Sequence, residues 1–251
     1  MNTQNWKSWL MASDFEFTHR FWIIGVIYSI GFLLYFFDHQ NSGHMLAELL
    51  ARLRGATNSL PDHRLVFGAA ALIAAVASAI RTWGTAYLQP EIMVSMRVQT
   101  ARLVADGPYR FVRNPLYLGN ILIAIGMGVM ASRLGFAVMV LGNAAIVYRL
   151  ILREEAGLDA AQGEGYRSYC AAVPRLVPAL FPRIPSAGQL PSYAAGFLGE
   201  LFFWTFTASL LVFAVTLNVK LFFIVLSSAF VIYAICLAAI KQRGKRTKLE
   251  T

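Results

Sequence analysis

Six apolar blocks free of charged residues dominate this 251-residue sequence. A helix needs about 20 apolar residues to cross the core of a bilayer, with about 17 as the lower limit. One such block could be a buried helix of a soluble protein, but six blocks near this length predict insertion into a membrane. The blocks are Phe21–Phe37, Leu65–Ile80 with its extension Trp83–Leu88, Tyr117–Ala131, Leu134–Tyr148, Leu201–Leu217 and Leu221–Ile240.

The composition favours the same interpretation. Charged residues make up 14% of the sequence and hydrophobic residues 57%, whereas soluble domains usually carry about 25% charged residues. The predicted fold class is therefore all-α, a polytopic transmembrane bundle of about six helices. Only Ser132 and Arg133 separate the third and fourth blocks, which predicts a tight helical hairpin.

The net charge of +9 would indicate a nucleic-acid partner in a soluble protein, but the positive-inside rule explains it in a membrane protein. With a cytoplasmic N-terminus, 17 of the 22 lysines and arginines lie in inside segments and 5 lie outside. We therefore expect a multi-pass protein of the inner or plasma membrane, with both termini in the cytoplasm and no nucleic-acid partner. Asp14 and Glu16 precede the first span, which we interpret as retained and not as a signal peptide. Cys170 and Cys236 give neither a disulfide framework nor a metal-ligand cluster, so no metal site is predicted.

Two cytoplasmic segments hold the clustered ionisable residues, and the first contains the run Gly107–Gly119. Asn114 followed by Pro115 predicts a helix start, with asparagine as the N-cap and proline at the first helical position. The positive end of that helix favours an anion, and Arg113 beside it can hold a carboxylate through two parallel hydrogen bonds. The alternative is a basic membrane anchor with interfacial tyrosines. The tyrosines of the run, which offer aromatic faces and hydroxyl groups, are Tyr109 and Tyr117.

The second segment begins with Arg153, Glu154 and Glu155, at the predicted cytoplasmic end of the fourth span. Neighbouring carboxylates lie about 100° apart around a helix, and two acids at a helix C-terminus oppose its dipole. The pattern therefore indicates a pair that holds a cation. The alternative is a solvated pair balanced by Arg149 and Arg153.

Further along the same segment, Tyr166 and Tyr169 are three residues apart and fall on one helical face. Pro174 and Pro178 then force an extended exit from the helix, which indicates a lid or an interfacial segment. Beyond it, Glu200 at the inner edge of the fifth span is either a functional acid or one that reaches interfacial water.

In this order and on one side of the membrane, these motifs resemble the isoprenylcysteine carboxyl methyltransferase family and the phospholipid methyltransferases related to it. The resemblance covers roughly residues 65–180. Asn114 stands where the family has histidine, and Gln162 where it has phenylalanine. The matching residues are Gly107 to Gly119, then Arg153, Glu154, Glu155, Leu158, Gly163, Tyr166 and Tyr169, then the exit Val173 to Pro178, with Ile80-Arg81-Thr82-Trp83 upstream.

The resemblance implies a helical bundle with S-adenosylmethionine enclosed near the cytoplasmic face. It implies that Arg113 and the helix start receive the cofactor carboxylate, and that the glutamates receive its cationic groups or ribose hydroxyls. An arginine would hold a carboxylate acceptor, and a glutamate would deprotonate an amine acceptor. The expected catalytic residues are Arg153, Glu154, Glu155 and Arg175, and the expected cofactor-binding residues are Tyr109, Arg113, Asn114, Pro115, Tyr117, Gly119, Glu155 and Tyr166.

The resemblance also implies a membrane-embedded or lipid-like acceptor, most like that of a protein-S-isoprenylcysteine carboxyl O-methyltransferase. The alternatives are a phospholipid N-methyltransferase, an NADPH-dependent sterol or steroid reductase on the same core, and a non-enzymatic transporter or scaffold. The expected partners are a hydrophobic small-molecule or lipid-anchored acceptor and membrane lipids. The expected parts of the chain are an interfacial N-terminal segment with the first span and the outside loop Asp38–Arg64 (1–64), a methyltransferase core (65–180), and a linker with a two-span hairpin and a basic tail (181–251).

Overall fold

The computed structural model describes residues 9–56, 59–88, 105–228 and 231. Over these ranges the chain is helical and contains no strand, which confirms the all-α class. Short 3-10 helices cover Leu34–Phe36 and Gly107–Arg110. The α-helices are α1 (Asp14–Thr18), α2 (Arg20–Leu33), α3 (Ser42–Leu53), α4 (Leu60–Tyr87), α5 (Pro115–Gly128), α6 (Arg133–Gln162), α7 (Glu164–Ala172), α8 (Tyr193–Gly199), α9 (Leu201–Thr216) and α10 (Val219–Ser228).

Helix α4 is the centre of the bundle and packs against α3, α5, α8 and α9. Small residues allow helix backbones to approach closely where lipid supplies no hydrophobic driving force. On the side of α4 that faces α5, Ala70 and Ala74 are buried, and a Cβ added to Gly126 of α5 would lie 3.1 Å from the Ala70 carbonyl oxygen. Larger side chains fill the space toward α9, where the rings of Phe67 and Phe213 meet edge to face at 4.7 Å.

Helices α5 and α6 form the predicted hairpin. Tyr117 of α5 contacts Glu154 of α6 at one end, and a Cβ on Gly128 would lie 2.8 Å from the Phe136 ring at the other end, so the two helices run antiparallel. The turn between them is held by Ser42, whose hydroxyl donates to the carbonyls of residues 128 and 131 at 2.9 Å.

Two of the helices, α4 and α6, are long and apolar enough to cross a membrane. A third span results if α8 and α9, which are bent by 64° about Glu200, are taken as one. These apolar helices are those of an integral membrane protein. The expected count of about six spans is not confirmed, because the other apolar helices are shorter and Leu221–Ile240 continues outside the described residues. The shorter helices are Arg20–Phe36, Pro115–Gly128 and Val219–Ser228.

Two helices extend beyond the limits that the apolar blocks indicate. Helix α6 continues past Tyr148 to Gln162, because good helix formers follow the apolar block, and it ends where Gly163 adopts a φ of 55°. The loop expected at 38–64 contains helix α3, capped by the Asn41 side chain, and the first turn of α4. The Arg153-Glu154-Glu155 triplet therefore lies within a helix and not at its C-terminus, so the dipole argument for a cation site does not apply.

The N-terminal segment is fixed to helix α6 by ion pairs. Arg149 donates to both carboxylate oxygens of Glu16, at 3.0 and 2.8 Å, and Ser13 and Glu16 cap each other's backbone at the start of α1. The hydrogen bond from Arg149, followed by the bond from the Ser13 backbone, lowers the pKa of Glu16 to about 2. Phe17 is buried beside Ile146 on α6.

The contact between α2 and α6 supplies a test of the packing. A Cβ on Gly135 would overlap the carbonyl oxygen of Gly31, which is backbone and cannot rotate away. Gly135→Ala should therefore destabilise the protein by about 1–3 kcal/mol. Gly68→Ala is the control, because its Cβ meets no atom within 4 Å and alanine favours the helix. Thermal unfolding in detergent should rank the control at or above the parent, and a Gly135→Ala protein as stable as the parent would contradict the packing.

The N-terminal ion pair predicts a pH dependence. Because the folded pKa of Glu16 lies below its ordinary value of 4.5, the pair stabilises the fold above about pH 4.5 and loses this effect as the pH falls toward 2. Glu16→Gln should lower the unfolding midpoint at pH 7 and flatten its fall in this acid range. Glu48→Gln is the control, since Glu48 and Arg52 are both exposed and 3.9 Å apart. Parallel pH profiles for Glu16→Gln and the parent would refute this role.

Candidate functional site

The two motif segments meet at one end of the bundle. The backbone N–H of Arg113 donates to the Pro174 carbonyl at 2.8 Å, and that of Ala179 donates to Phe111 at 2.9 Å. Farther along, the N–H of Arg183 donates to a carbonyl of the first segment at 2.8 Å. No helix forms between 173 and 192, so the predicted extended exit is present and runs along the 106–113 loop.

Asp106, which was not among the predicted site residues, anchors this arrangement. Its buried carboxylate accepts hydrogen bonds from the backbone N–H of Gly107 and of Gln189 and from the Ser186 hydroxyl, each at 2.9 Å. Burial raises the pKa of Asp106, but these donors outweigh it and the pKa is lowered. Gly107 has a φ of 56° and a Cβ there would strike the Tyr87 ring, so the position requires glycine. An aspartate directly before Gly-Pro was the available signal.

Asn114 and Pro115 occupy the predicted N-cap and first positions of helix α5. The asparagine side chain, however, does not cap the helix. Its Nδ2 donates instead to Glu155 Oε1 at 3.4 Å and to the Arg175 carbonyl at 3.2 Å. The physical cause is that the charged Glu155 carboxylate is a strong acceptor for Nδ2 and orients the amide toward itself, so the amide oxygen makes no bond to the helix N–H groups.

Glu155 forms ion pairs with two arginines from separate segments. Arg175 donates through Nε and Nη2 to the Glu155 carboxylate at 3.0 and 2.7 Å, and Arg113 Nη1 lies 3.4 Å from Oε1. The side chains of Arg113 and Glu155 are each only 11% exposed. We name Arg113, Asn114, Glu155 and Arg175 the Glu155 cluster. Because Arg113 and Glu155 touch, they do not hold opposite ends of one ligand in this arrangement.

The Glu155 cluster has an unbalanced charge. Two guanidinium groups surround one carboxylate, which leaves one net positive charge. Arg113 Nε is buried and finds no hydrogen-bond partner among the described residues. Burying such a donor unpaired costs about 1–3 kcal/mol. The cluster can therefore accept a further anionic or carbonyl oxygen.

Glu154 faces a different neighbour from Glu155, as the 100° spacing requires. The Tyr117 hydroxyl donates to Glu154 Oε1 at 2.7 Å. This hydroxyl brings a hydrogen bond but no positive charge to Glu154. The first turn of α5 thus lies between a region of excess positive charge and a carboxylate.

Arg153 points away from both glutamates. Its guanidinium donates to the Ala12 carbonyl at 3.0 Å, pairs with Asp14, and lies over the Phe17 ring. The structure therefore separates Arg153 from the Glu155 cluster, to which Arg175 does belong.

The remaining predicted residues lie around the same helix start. Tyr109 and Tyr166 are buried, and burial raises the pKa of both phenols, so both are neutral at physiological pH. The Tyr169 hydroxyl donates to the Tyr109 carbonyl at 2.8 Å, which joins α7 to the 3-10 helix. Gly119 contacts Arg81 and not the Glu155 cluster: the Arg81 side chain occupies the space that a Cβ on Gly119 would take.

Residues 62–160 match the model of the isoprenylcysteine carboxyl methyltransferase (ICMT) family. The cobalt-zinc-cadmium resistance protein CzcN of Cupriavidus metallidurans is 33% identical over 82 residues, which is 33% of this chain and 36% of that protein. The nickel-cobalt-cadmium resistance protein NccN of Alcaligenes xylosoxydans xylosoxydans is 30% identical over 86 residues, 34% of this chain and 38% of that protein. The chain thus spans little more than a third of the length of either relative. No solved structure matches it.

The family match contains helix α5 and nearly all of helices α4 and α6, together with the helix start at Asn114 and the Arg153–Glu155 triplet. The resemblance seen in the sequence is thereby confirmed over residues 62–160, which are similar to the isoprenylcysteine carboxyl methyltransferase family.

Proposed function

We propose that this protein is an integral membrane methyltransferase that takes its methyl group from S-adenosylmethionine and acts on a membrane-embedded, lipid-like acceptor. The observation that carries the proposal is the Glu155 cluster, a buried site with one excess positive charge at a helix start and a separate carboxylate, Glu154, beside it. The family match favours methyl transfer independently of that geometry.

The positive end of the site fits a carboxylate. The amino-acid part of S-adenosylmethionine carries a carboxylate and an ammonium group, and its sulfonium supplies an activated methyl group. Arg113 would hold the carboxylate through its unpartnered Nε, while Glu155 keeps the guanidinium in place. The positive end of the α5 dipole adds to this attraction.

Glu154, on the other side of the first turn of helix α5, fits a cation. Glu154 accepts one hydrogen bond from the Tyr117 hydroxyl, and its carboxyl group would lie against the ammonium or sulfonium group, whose positive charge favours the ionised form. Tyr109 and Tyr166, as neutral buried phenols, offer aromatic packing and not proton transfer. The contribution of these residues is alignment and exclusion of water, which suffices for an in-line displacement on a strong electrophile.

The acceptor side favours a carboxylate attached to a lipid. Arg175 is partly exposed, at 34% of its side chain, and can therefore contact a second anionic group. Directly after it, Val177, Leu180 and Phe181 are exposed by 79%, 91% and 76%, which suits an apolar acceptor chain. A carboxylate needs no base, whereas an amine acceptor would need Glu154 to remove a proton. The activity most like this is protein-S-isoprenylcysteine carboxyl O-methylation.

We place the site on the cytoplasmic side, because the positive-inside rule puts both motif segments there. A cysteine introduced at Gln189 should react with an impermeant thiol reagent only after the membrane is opened, and one at Ser59 should react in intact cells. Gln189 lies in the second motif segment, and its backbone N–H donates to Asp106. Labelling of position 189 from outside would reverse the assignment.

Arg113→Ala should weaken binding of S-adenosylmethionine about tenfold to a hundredfold, because a charge-assisted contact contributes about 1.5–3 kcal/mol. Glu154→Gln should weaken it as well, through the other end. Arg167→Ala is the control, since Arg167 pairs with Asp159 on the exposed surface of the same segment and such pairs contribute little. Calorimetric affinities equal to the parent in both site variants would overturn the proposed pocket.

Variants of Asn114 test the effect of asparagine at a position where the family has histidine. Asn114→His should keep substantial affinity and activity, since an imidazole can still donate to Glu155, whereas Asn114→Ala should lose about twofold to tenfold in affinity. Because asparagine does not titrate near neutral pH, the parent should show no pH step from residue 114 between about pH 6 and pH 9. If Asn114→Ala matched the parent in affinity and rate, the side chain would be packing alone.

A further inference from the structure

Arg81 and Glu200 form a buried ion pair far from the Glu155 cluster in sequence. Arg81 Nε donates to Glu200 Oε2 at 2.6 Å, and Nη2 donates to Oε1 at 3.1 Å. The Thr85 hydroxyl donates to Oε1 at 2.7 Å. The side chains of Arg81 and Glu200 are 14% and 3% exposed. Glu200 therefore does not reach interfacial water, which was one of its two interpretations from the sequence.

The same guanidinium reaches the first turn of helix α5. Its Nη1 donates to the Leu116 carbonyl at 3.1 Å and to Asn120 Oδ1 at 2.6 Å. The alkyl part of Arg81 passes over Gly119, where a side chain would collide with it. The first turn so held is the one that follows Asn114 and carries Tyr117. We name Arg81, Thr85, Asn120 and Glu200 the Arg81 clamp.

Further contacts tie the chain around Glu200 to the end of helix α4. The last carbonyls of a helix need partners, and here the Ser192 N–H donates to the carbonyl of residue 86 at 2.7 Å, while Gln189 Nε2 donates to that of residue 87 at 2.6 Å. Trp204 Nε1 donates to the Thr82 hydroxyl at 2.9 Å, and Gly196 lies against the Thr82 carbonyl. Residues 189–204 therefore enclose the end of α4 from which Arg81 extends.

Removing one partner of a buried ion pair leaves an uncompensated charge in a medium of low dielectric. Without Glu200, the Arg81 guanidinium would have to turn toward water, and it would take its bonds to Leu116 and Asn120 with it. The acid that prevents this lies 40 residues beyond the end of the family match at residue 160.

We propose that Glu200 is a positioning residue of the methyl-transfer site, acting through Arg81 on the first turn of helix α5. Helices α8 and α9 are then part of the framework of the site, although they lie outside the family match. This inference rests on the proposed function, since the turn that it positions is the one assigned to S-adenosylmethionine.

The first test compares Glu200→Gln with Thr207→Val. The Thr207 hydroxyl lies 3.1 Å from that of Ser78 across the same pair of helices and does not touch Arg81. Glu200→Gln should increase hydrogen–deuterium exchange of the amides of residues 116–120 and weaken binding of S-adenosylmethionine about tenfold. Thr207→Val should change neither. Parent-like exchange and affinity in Glu200→Gln would overturn the inference.

The second test separates positioning from stability. In R81M/E200L the ion pair is replaced by apolar side chains, a change that often preserves or raises stability. The double variant should unfold at a temperature near that of the parent and still bind S-adenosylmethionine about tenfold more weakly, because Leu116 and Asn120 have lost their donor. If R81M/E200L had both the stability and the S-adenosylmethionine affinity of the parent, the ion pair between Arg81 and Glu200 would have a structural role only.

The exchange measurement keeps the two proposals distinguishable. If the parent protein does not bind S-adenosylmethionine at all, the proposed function fails, and exchange of residues 116–120 alone decides the clamp. Faster exchange in Glu200→Gln than in Thr207→Val would then support the clamp, and equal exchange would overturn it.

Discussion

The buried carboxylate of Glu155 joins three parts of the chain that the sequence separates widely. It lies on helix α6 and receives Arg113 from the loop before α5 and Arg175 from the exit after α7. Buried charges are tolerated only when they are paired and hydrogen-bonded, so the position of each arginine depends on this acid. That pairing, together with the backbone hydrogen bonds between the two segments, holds the 106–113 loop along the exit.

Helix α5 is held at its first turn by two charge networks. The Glu155 cluster contacts the residues that precede the helix, and the Arg81 clamp contacts Leu116 and Asn120 within its first turn and a half. Glu154 meets the same turn through Tyr117. In the proposed function, the Glu155 cluster on one side of this helix start would receive the carboxylate of S-adenosylmethionine, and Glu154 on the other side would receive a cationic group.

The sequence was informative where a local pattern decides the structure. The apolar blocks gave the positions of the main helices, Asn114 and Pro115 gave the start of α5, and the prolines gave the extended exit. It was uninformative where a distant partner decides. The Asn114 amide on Glu155, the contact of Arg153 with Asp14 and the role of Asp106 each depend on chain brought close only by folding. Helix α3 was missed because a loop of 27 residues was treated as one connection.

The identity of the bound cofactor distinguishes the proposed methyltransferase from a reductase. Protein purified in mild detergent can be analysed by native mass spectrometry, and the small molecule it retains can be extracted and identified. We expect S-adenosylmethionine or its demethylated product, S-adenosylhomocysteine, and displacement of either by added isotopically labelled S-adenosylmethionine. Retention of NADPH, with no binding of S-adenosylmethionine by calorimetry, would contradict the proposed methyltransferase function and indicate a reductase built on the same helices.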